Sequence, residues 1–217
     1  MTRDAEKSVG NLTNEERSKL FPIILSEYDP AWREWYSEEK EKLLRLIGGD
    51  RIVRITHIGS TAVPGLVAKP TIDILLEVAG SADMDADLES MIALMPKNEY
   101  VCLREQTIPT NDIALFLKGY SAAGFAEKVY HIHVRRHGDW DEVHFRDYLL
   151  AHPEAAEQYG NLKRELMEQY EHDRDGYTEA KGEFIEAVTK RARGIAEKMD
   201  DFFIARLDAY EDKPENP

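Results

Sequence analysis

The run Thr71-Ile-Asp-Ile-Leu-Leu-Glu-Val78 constrains the fold more than any other part of the chain. It is apolar apart from its two acids, and a strand of that kind is covered on both faces rather than one. The chain must therefore build a sheet and find helices to lay over it. Arg51 to His57, rich in β-branched residues, reads as a strand just upstream, and a Gly/Pro-punctuated loop joins the two.

The rest of the chain supplies the covering layers. Trp32, Trp35, Tyr36, Leu43, Leu44 and Ile47 recur near a 3.6-residue spacing, with Asp29 as N-cap, Pro30 in the first turn and Gly48-Gly49 as the stop. Asp83 to Met95 reads as a short helix stopped by Pro96. Tyr100 to Glu105, Asp112 to Lys118 and Lys128 to Arg135 are further strand candidates. Helices are expected at Asp139 to Ala151, Pro153 to Tyr170, and Tyr177 to about Leu207. The last carries Phe184, Val188, Arg191, Ile195, Met199 and Phe203 at an approximate three-to-four spacing, a docking face for a partner or a second copy in a homodimer. The expectation is an α+β domain over residues 21–207, a mixed β-sheet flanked by helices with a helical part from about 139, a flexible tail at 1–20 and a disordered one at 208–217.

Composition narrows the function. With 28 Lys+Arg against 42 Asp+Glu the net charge is -14, which opposes long-range attraction of duplex nucleic acid, although a local basic pocket could hold a small anion. The absence of a long uncharged apolar run or a signal-like leader predicts no membrane association and a cytoplasmic protein. Cys102 is the single cysteine and sits among apolar residues, a structural thiol that forms no disulfide.

Three groups of residues stand out chemically. Gly59-Ser60-Thr61 gives a tight loop with hydroxyls that can meet phosphate oxygens, and Lys69 follows it. Asp73 lies inside the apolar strand, where a carboxylate needs a hydrogen bond, a cation or a metal. His131 and His133 alternate onto one face of a strand about 7 Å apart, a spacing that suits two imidazoles on one cation or one phosphate. Arg146, Lys163 and Lys181 lie in helices beside Tyr148, Tyr159 and Tyr177, and Tyr177 and Lys181 share a helix face at i and i+4.

These motifs together, with YDPAWREWYSEEKEKL, FRDYLLAHPEAAEQYGNLKRELM and YTEAKGEFI, resemble the GrpB family from about Tyr28 to Arg193. The resemblance implies the DNA polymerase beta-like nucleotidyltransferase fold, whose signature is a Gly-Ser turn followed by a strand with two acids separated by one residue. Ser60 and Asp73 bracket 12 residues and fit, whereas Leu75 stands where the second acid belongs. Glu77 is about 13 Å along the strand from Asp73, too far to share a metal. Asp112, or the imidazoles of His131 and His133, are left to complete the set. The resemblance therefore implies a metal-dependent transfer of a nucleotidyl or phosphoryl group from a nucleoside triphosphate to a small acceptor. Asp73 would be catalytic and, with His131 and His133, would ligate Mg, Mn or Zn. Gly59, Ser60, Thr61, Lys69, Arg146, Lys163, Tyr177 and Lys181 would hold the nucleotide or its phosphates. The alternative is a phosphate-binding module with an incomplete metal site.

Overall fold

The computed structural model describes residues 19–79, 84–103, 112–121 and 123–194. Helix α1 (Ala31–Ile47) begins where expected: the Asp29 carboxylate accepts the Ala31 amide proton at 2.9 Å, which caps the first turn. Strands β1 (Ile52–Ile58) and β2 (Thr71–Val78) follow, then α2 (Met84–Leu94), β3 (Val101–Leu103), β4 (Ala114–Ser121) and β5 (Gly124–Arg136). Helices α3 (Asp141–Ala151), α4 (Pro153–Tyr170), α5 (Arg174–Ala180) and α6 (182–194) close the described chain.

The five strands form one mixed sheet in the order β1-β2-β5-β4-β3. β2 runs parallel to β5 with Asp73 opposite His131 and Leu75 opposite His133, and the other neighbours are antiparallel. Even-numbered residues of three strands point one way: Ile72, Ile74 and Leu76, Tyr130, Ile132 and Val134, and Ala114 and Phe116 join Trp32, Leu43, Met91 and Met95 in the main core under α1 and α2. Odd-numbered residues face the opposite layer, α3 to α6. There a second cluster of Val63, Leu66, Leu149, Tyr159 and Val188 anchors the helices, with Phe184 and Ile185 packed on it. The mixed sheet flanked by helices is thus as expected. Among the described residues no helix is long and apolar enough to cross a membrane.

Several boundaries move for physical reasons. The expected strand at 112–118 runs from Ala114 to Ser121, and its partner starts at Gly124, because Tyr120 and Phe125 extend the hairpin with an edge-to-face contact at 5.4 Å. Gly119, at φ 88°, takes a bulge in which a Cβ would overlap the Lys128 carbonyl. The α-helix stops at Leu94, just ahead of Pro96 as expected, and Pro96 falls in the first turn of a 3-10 segment, Met95–Asn98, where its missing N–H costs nothing. The strand expected at Tyr100 to Glu105 starts at Val101 and is described as far as Leu103, the remainder lying outside the described residues, and the helix expected from Asp139 starts at Asp141.

The last helix is not continuous. α5 stops at Ala180, Lys181 makes a turn, and α6 resumes at 182. The break lets both halves wrap over the sheet. Phe184 and Val188 of the expected docking face pack on the chain itself, Phe184 stacking on Tyr159 at 5.1 Å, while Ile195, Met199 and Phe203 lie outside the described residues.

Candidate functional site

Between the odd-numbered sheet face and the helices lies a cavity of about 810 Å³. Its floor is built by the β2–β5 pair. Because the strands are parallel and in register, Asp73 and His131 are cross-strand neighbours and His133 follows one pleat on. Ligand atoms of Asp73, His131 and His133 all lie within 4.8 Å of one another. Nδ1 of His131 is 3.2 Å from Asp73 Oδ1, and Nε2 of His133 is 3.9 Å from the same oxygen.

The far nitrogens are held as well. His131 Nε2 meets the Tyr120 hydroxyl at 2.6 Å, and His133 Nδ1 meets Asp112 Oδ2 at 2.7 Å. Asp112 in turn accepts from Arg135 Nε at 2.5 Å, and the rest of that guanidinium grips Glu142. One nitrogen of each imidazole is thereby fixed and the other is turned toward Asp73, the arrangement that orients histidine ligands on a metal. The set fits a divalent cation: two nitrogens and one oxygen, with positions left for water or substrate.

The electrostatics favour a cation at Asp73, whereas His133 carries a proton that a metal would have to displace. Burial alone would raise the Asp73 carboxyl, but hydrogen bonds and charge from His131 and His133 outweigh it and hold it well below the usual carboxylate range. Burial lowers His131, whereas His133 is raised to about 9 because its hydrogen bond to Asp112 and the nearby Asp73 carboxylate overcome desolvation. Asp73 is therefore ionised and ready to take a cation at neutral pH.

Gly59 explains how the loop reaches this floor. It sits at φ 73°, ψ -175°, a region open to glycine, and a Cβ there would collide with Asp73 Oδ2 and stand 3.1 Å from Asp73 Cβ and Cγ. Ser60 also lines the cavity, as does Tyr159. Thr61 lines the cavity but its hydroxyl is committed elsewhere, donating to the Thr71 carbonyl and meeting His57 Nε2, each at 3.0 Å. It holds the loop on β2 instead of offering an oxygen to phosphate.

The cationic wall is partly as expected. Lys69 and Lys181 line the cavity on either side of Tyr177, their ammonium groups 5.5 and 4.4 Å from its ring centroid. Burial pushes Lys69 down to about 7, helped by the charges of Lys181 and Arg174, and pushes Lys181 down to about 8. Lys163 lines the wall too, but its ammonium donates to the Val67 carbonyl over the Tyr159 ring, so it braces the loop; burial lowers it to about 7. Arg146 is not among the lining residues: it donates to the His57 carbonyl at 2.7 Å and pairs with Asp147, which ties α3 to β1. Glu77 is fully buried and taken by Arg54, His137 and the Gly138 amide.

Some lining groups were not singled out by sequence. Arg174 donates to the Phe21 carbonyl at 3.0 Å and enters the cavity beside Tyr177; its spacing of three from Tyr177 and seven from Lys181 was the available signal. Tyr120 fell beyond the expected end of β4. The roles of Arg135 and Asp112 as the support of His133 need the three-dimensional pairing.

A family model described as GrpB protein matches residues 22–191. The chain belongs to the GrpB family. This GrpB chain is 35% identical over 174 residues to UPF0157 protein YqkA of Bacillus subtilis (strain 168), covering 79% of itself and 47% of that protein. It is 34% identical to UPF0157 protein SCO7215 of Streptomyces coelicolor over 174 residues, 78% of this chain and 84% of that one. A protein named dephospho-CoA kinase, from Mycolicibacterium paratuberculosis, is 29% identical over 200 residues, 84% of this chain and 48% of the relative. The chain thus spans about half the length of YqkA and of that kinase. The crystal structure of conserved protein GrpB from Enterococcus faecalis superposes with a TM-score of 0.66 at 28% identity, covering 78% of this chain and 96% of that one.

Proposed function

We propose that this GrpB chain is a metal-dependent protein of the nucleotidyltransferase kind, transferring a nucleotidyl or phosphoryl group from a nucleoside triphosphate to a small acceptor. The observation that carries the reading is one cavity holding both the convergent Asp73, His131 and His133 and the cations Lys69, Lys181 and Arg174. In phosphoryl transfer the protein has little covalent work to do, and positioning and charge stabilisation dominate. A divalent ion on the triad, zinc or manganese by its donor set, would withdraw charge from phosphate oxygens. Lys69, Lys181 and Arg174 hold the phosphates from the helical side. Gly59 and Ser60 bring the loop backbone against them, and Asp112 and Tyr120 keep the imidazoles aimed. Relatives named dephospho-CoA kinase, which share part of their length with this chain, support a phosphoryl-related role.

One observation favours a second reading. Leu75 is wholly buried on the odd-numbered face, so the position of the second acid is sealed and a site for a pair of metals is not built there. A phosphate-binding module with a single cation is the alternative.

Thermal unfolding with single divalent metals, then with each nucleoside triphosphate added, tests both. A ligand at a hundredfold excess over its dissociation constant adds about 2.7 kcal/mol of stability. Stabilisation by zinc or manganese that Asp73→Asn abolishes supports the metal site. Release of pyrophosphate or phosphate then separates a transferase from a binding module, and no response to any metal or triphosphate sinks both readings.

A further inference from the structure

We infer that the cavity takes an organic phosphate with an apolar body, such as a short-chain alkyl or aryl phosphate, in preference to a sugar phosphate. The inference rests on the reading of the lysine wall as a phosphate site and names the kind of molecule that site accepts.

The cavity has two unlike ends. At one, Lys69 and Lys181 converge on the Tyr177 ring, and among the described residues neither ammonium has an acidic or carbonyl hydrogen-bond partner. Two like charges facing one buried ring call for an anion. Among the described residues the Tyr177 hydroxyl is buried with no hydrogen-bond partner, and so is that of Thr189 on α6. Both residues line the cavity, and an orphaned buried hydroxyl costs free energy that a ligand oxygen would recover.

Across the His131–His133 pair the sheet continues into β4 and β3, whose odd-numbered residues Leu115, Leu117 and Val101 line the cavity, and Phe145 and Ile185 face them from the helices. None of these five side chains carries a polar atom. A base edge or a sugar pressed against them would lose its hydrogen bonds to water without replacement. Among the described residues these five offer a nucleoside no hydrogen-bond partner, and Arg135 and Glu142, which also line the cavity, are engaged with each other and with Asp112, so the wall fits the small acceptor, whose phosphate shares the lysine end with the donor's. A volume of about 810 Å³ is far more than a phosphate ion fills and lies within the range of small-molecule sites, so the apolar end is built to hold a body.

Calorimetric titration of the full chain with zinc present, using inorganic phosphate and then ethyl, butyl, hexyl and octyl phosphate, tests this. Each methylene that leaves water for the apolar wall contributes about 0.8 kcal/mol, about a fourfold gain in affinity, until the wall is filled. Leu117→Gln is expected to flatten that gain while leaving inorganic phosphate binding in place, and Lys181→Met to weaken the whole series by a common factor. Alkyl phosphates no tighter than inorganic phosphate, or glucose 6-phosphate as tight as hexyl phosphate, overturn the inference and leave the phosphate site standing. No binding of any phosphate overturns both. A gain that persists without a plateau, with co-sedimentation on phosphatidic acid vesicles, overturns the assignment to a free small molecule.

Discussion

Gly59 contributes no side chain to the cavity, yet the structure makes it a determinant of metal binding. In Gly59→Ala the backbone at φ 73°, ψ -175° is strained, and the new Cβ collides with the Asp73 carboxylate. Strain in that region costs about 2 kcal/mol, and the lower entropy of the unfolded chain offsets about 0.7 of it. Displacing Asp73 from the imidazoles of His131 and His133, 3.2 and 3.9 Å away, removes charged contacts worth about 2 kcal/mol more. The expected loss is about 3 kcal/mol, read as a drop in midpoint of about 10 °C for a chain of this size. Asp73→Ala alone forfeits the same charged contacts, about 2 kcal/mol. The double variant has no carboxylate left to displace, so its loss should stay near 3 kcal/mol, well below the sum of the two single losses, with a coupling of about 2 kcal/mol. Urea unfolding of the four proteins without metal measures the cycle, and zinc titration of Gly59→Ala should show binding lost with no ligand removed. Additive costs, with a coupling under about 0.5 kcal/mol, would refute the placement of Asp73 beneath the loop.

Further outcomes follow from the same geometry. Asp112→Asn keeps a partner for Arg135 but withdraws the carboxylate that orients His133, and zinc affinity by calorimetry should fall about 10- to 100-fold. Lys181 has a folded-state value of about 8 against 10.5 in the open chain, so the unfolded state binds more protons between those values. The penalty of burying its charge is complete below about pH 8 and relieved as pH rises toward 10.5. Lys181→Met should therefore stabilise the ligand-free protein at pH 7 and lose that advantage by pH 10. The comparison must be with the parent at each pH, because His133, raised to about 9, runs the opposite way: its stabilisation is full below 6.5 and lost as pH rises through 9. Glu77→Gln breaks a buried carboxylate's bonds to Arg54, His137 and the Gly138 amide and should cost about 2 kcal/mol in urea while leaving zinc affinity unchanged. A parallel loss of zinc would show that Glu77 belongs to the metal set.

What was legible in the sequence follows a physical line. β2 could be read because a run apolar on both sides admits few alternatives, and His131 and His133 could be placed on one face because the strand period is two. Asp73 drew notice through the cost of a buried carboxylate. Choosing between Asp112 and the imidazoles required knowing that β2 and β5 are neighbours, a long-range pairing that local pattern does not encode. Arg146 and Lys163 show the same limit from the other side. Their spacing on helices was right, but an arginine or lysine that finds a backbone carbonyl is indistinguishable in sequence from one that waits for a ligand. The break at Lys181 was missed because the apolar period runs through it unchanged.

The alternation of β2, β5 and β4 has one more consequence. Up to the bulge at Gly119, which turns Tyr120 to the cavity side, the two faces of these strands are written in interleaved positions, with even numbers packing the core and odd numbers meeting the cavity. Changes at 115 or 117 can therefore retune what the cavity accepts while the message that specifies the fold is left unedited. The reverse also holds: a slip of a single residue in pairing would exchange the two messages entirely, so the core's full cohesion stands guard over the address of every cavity residue.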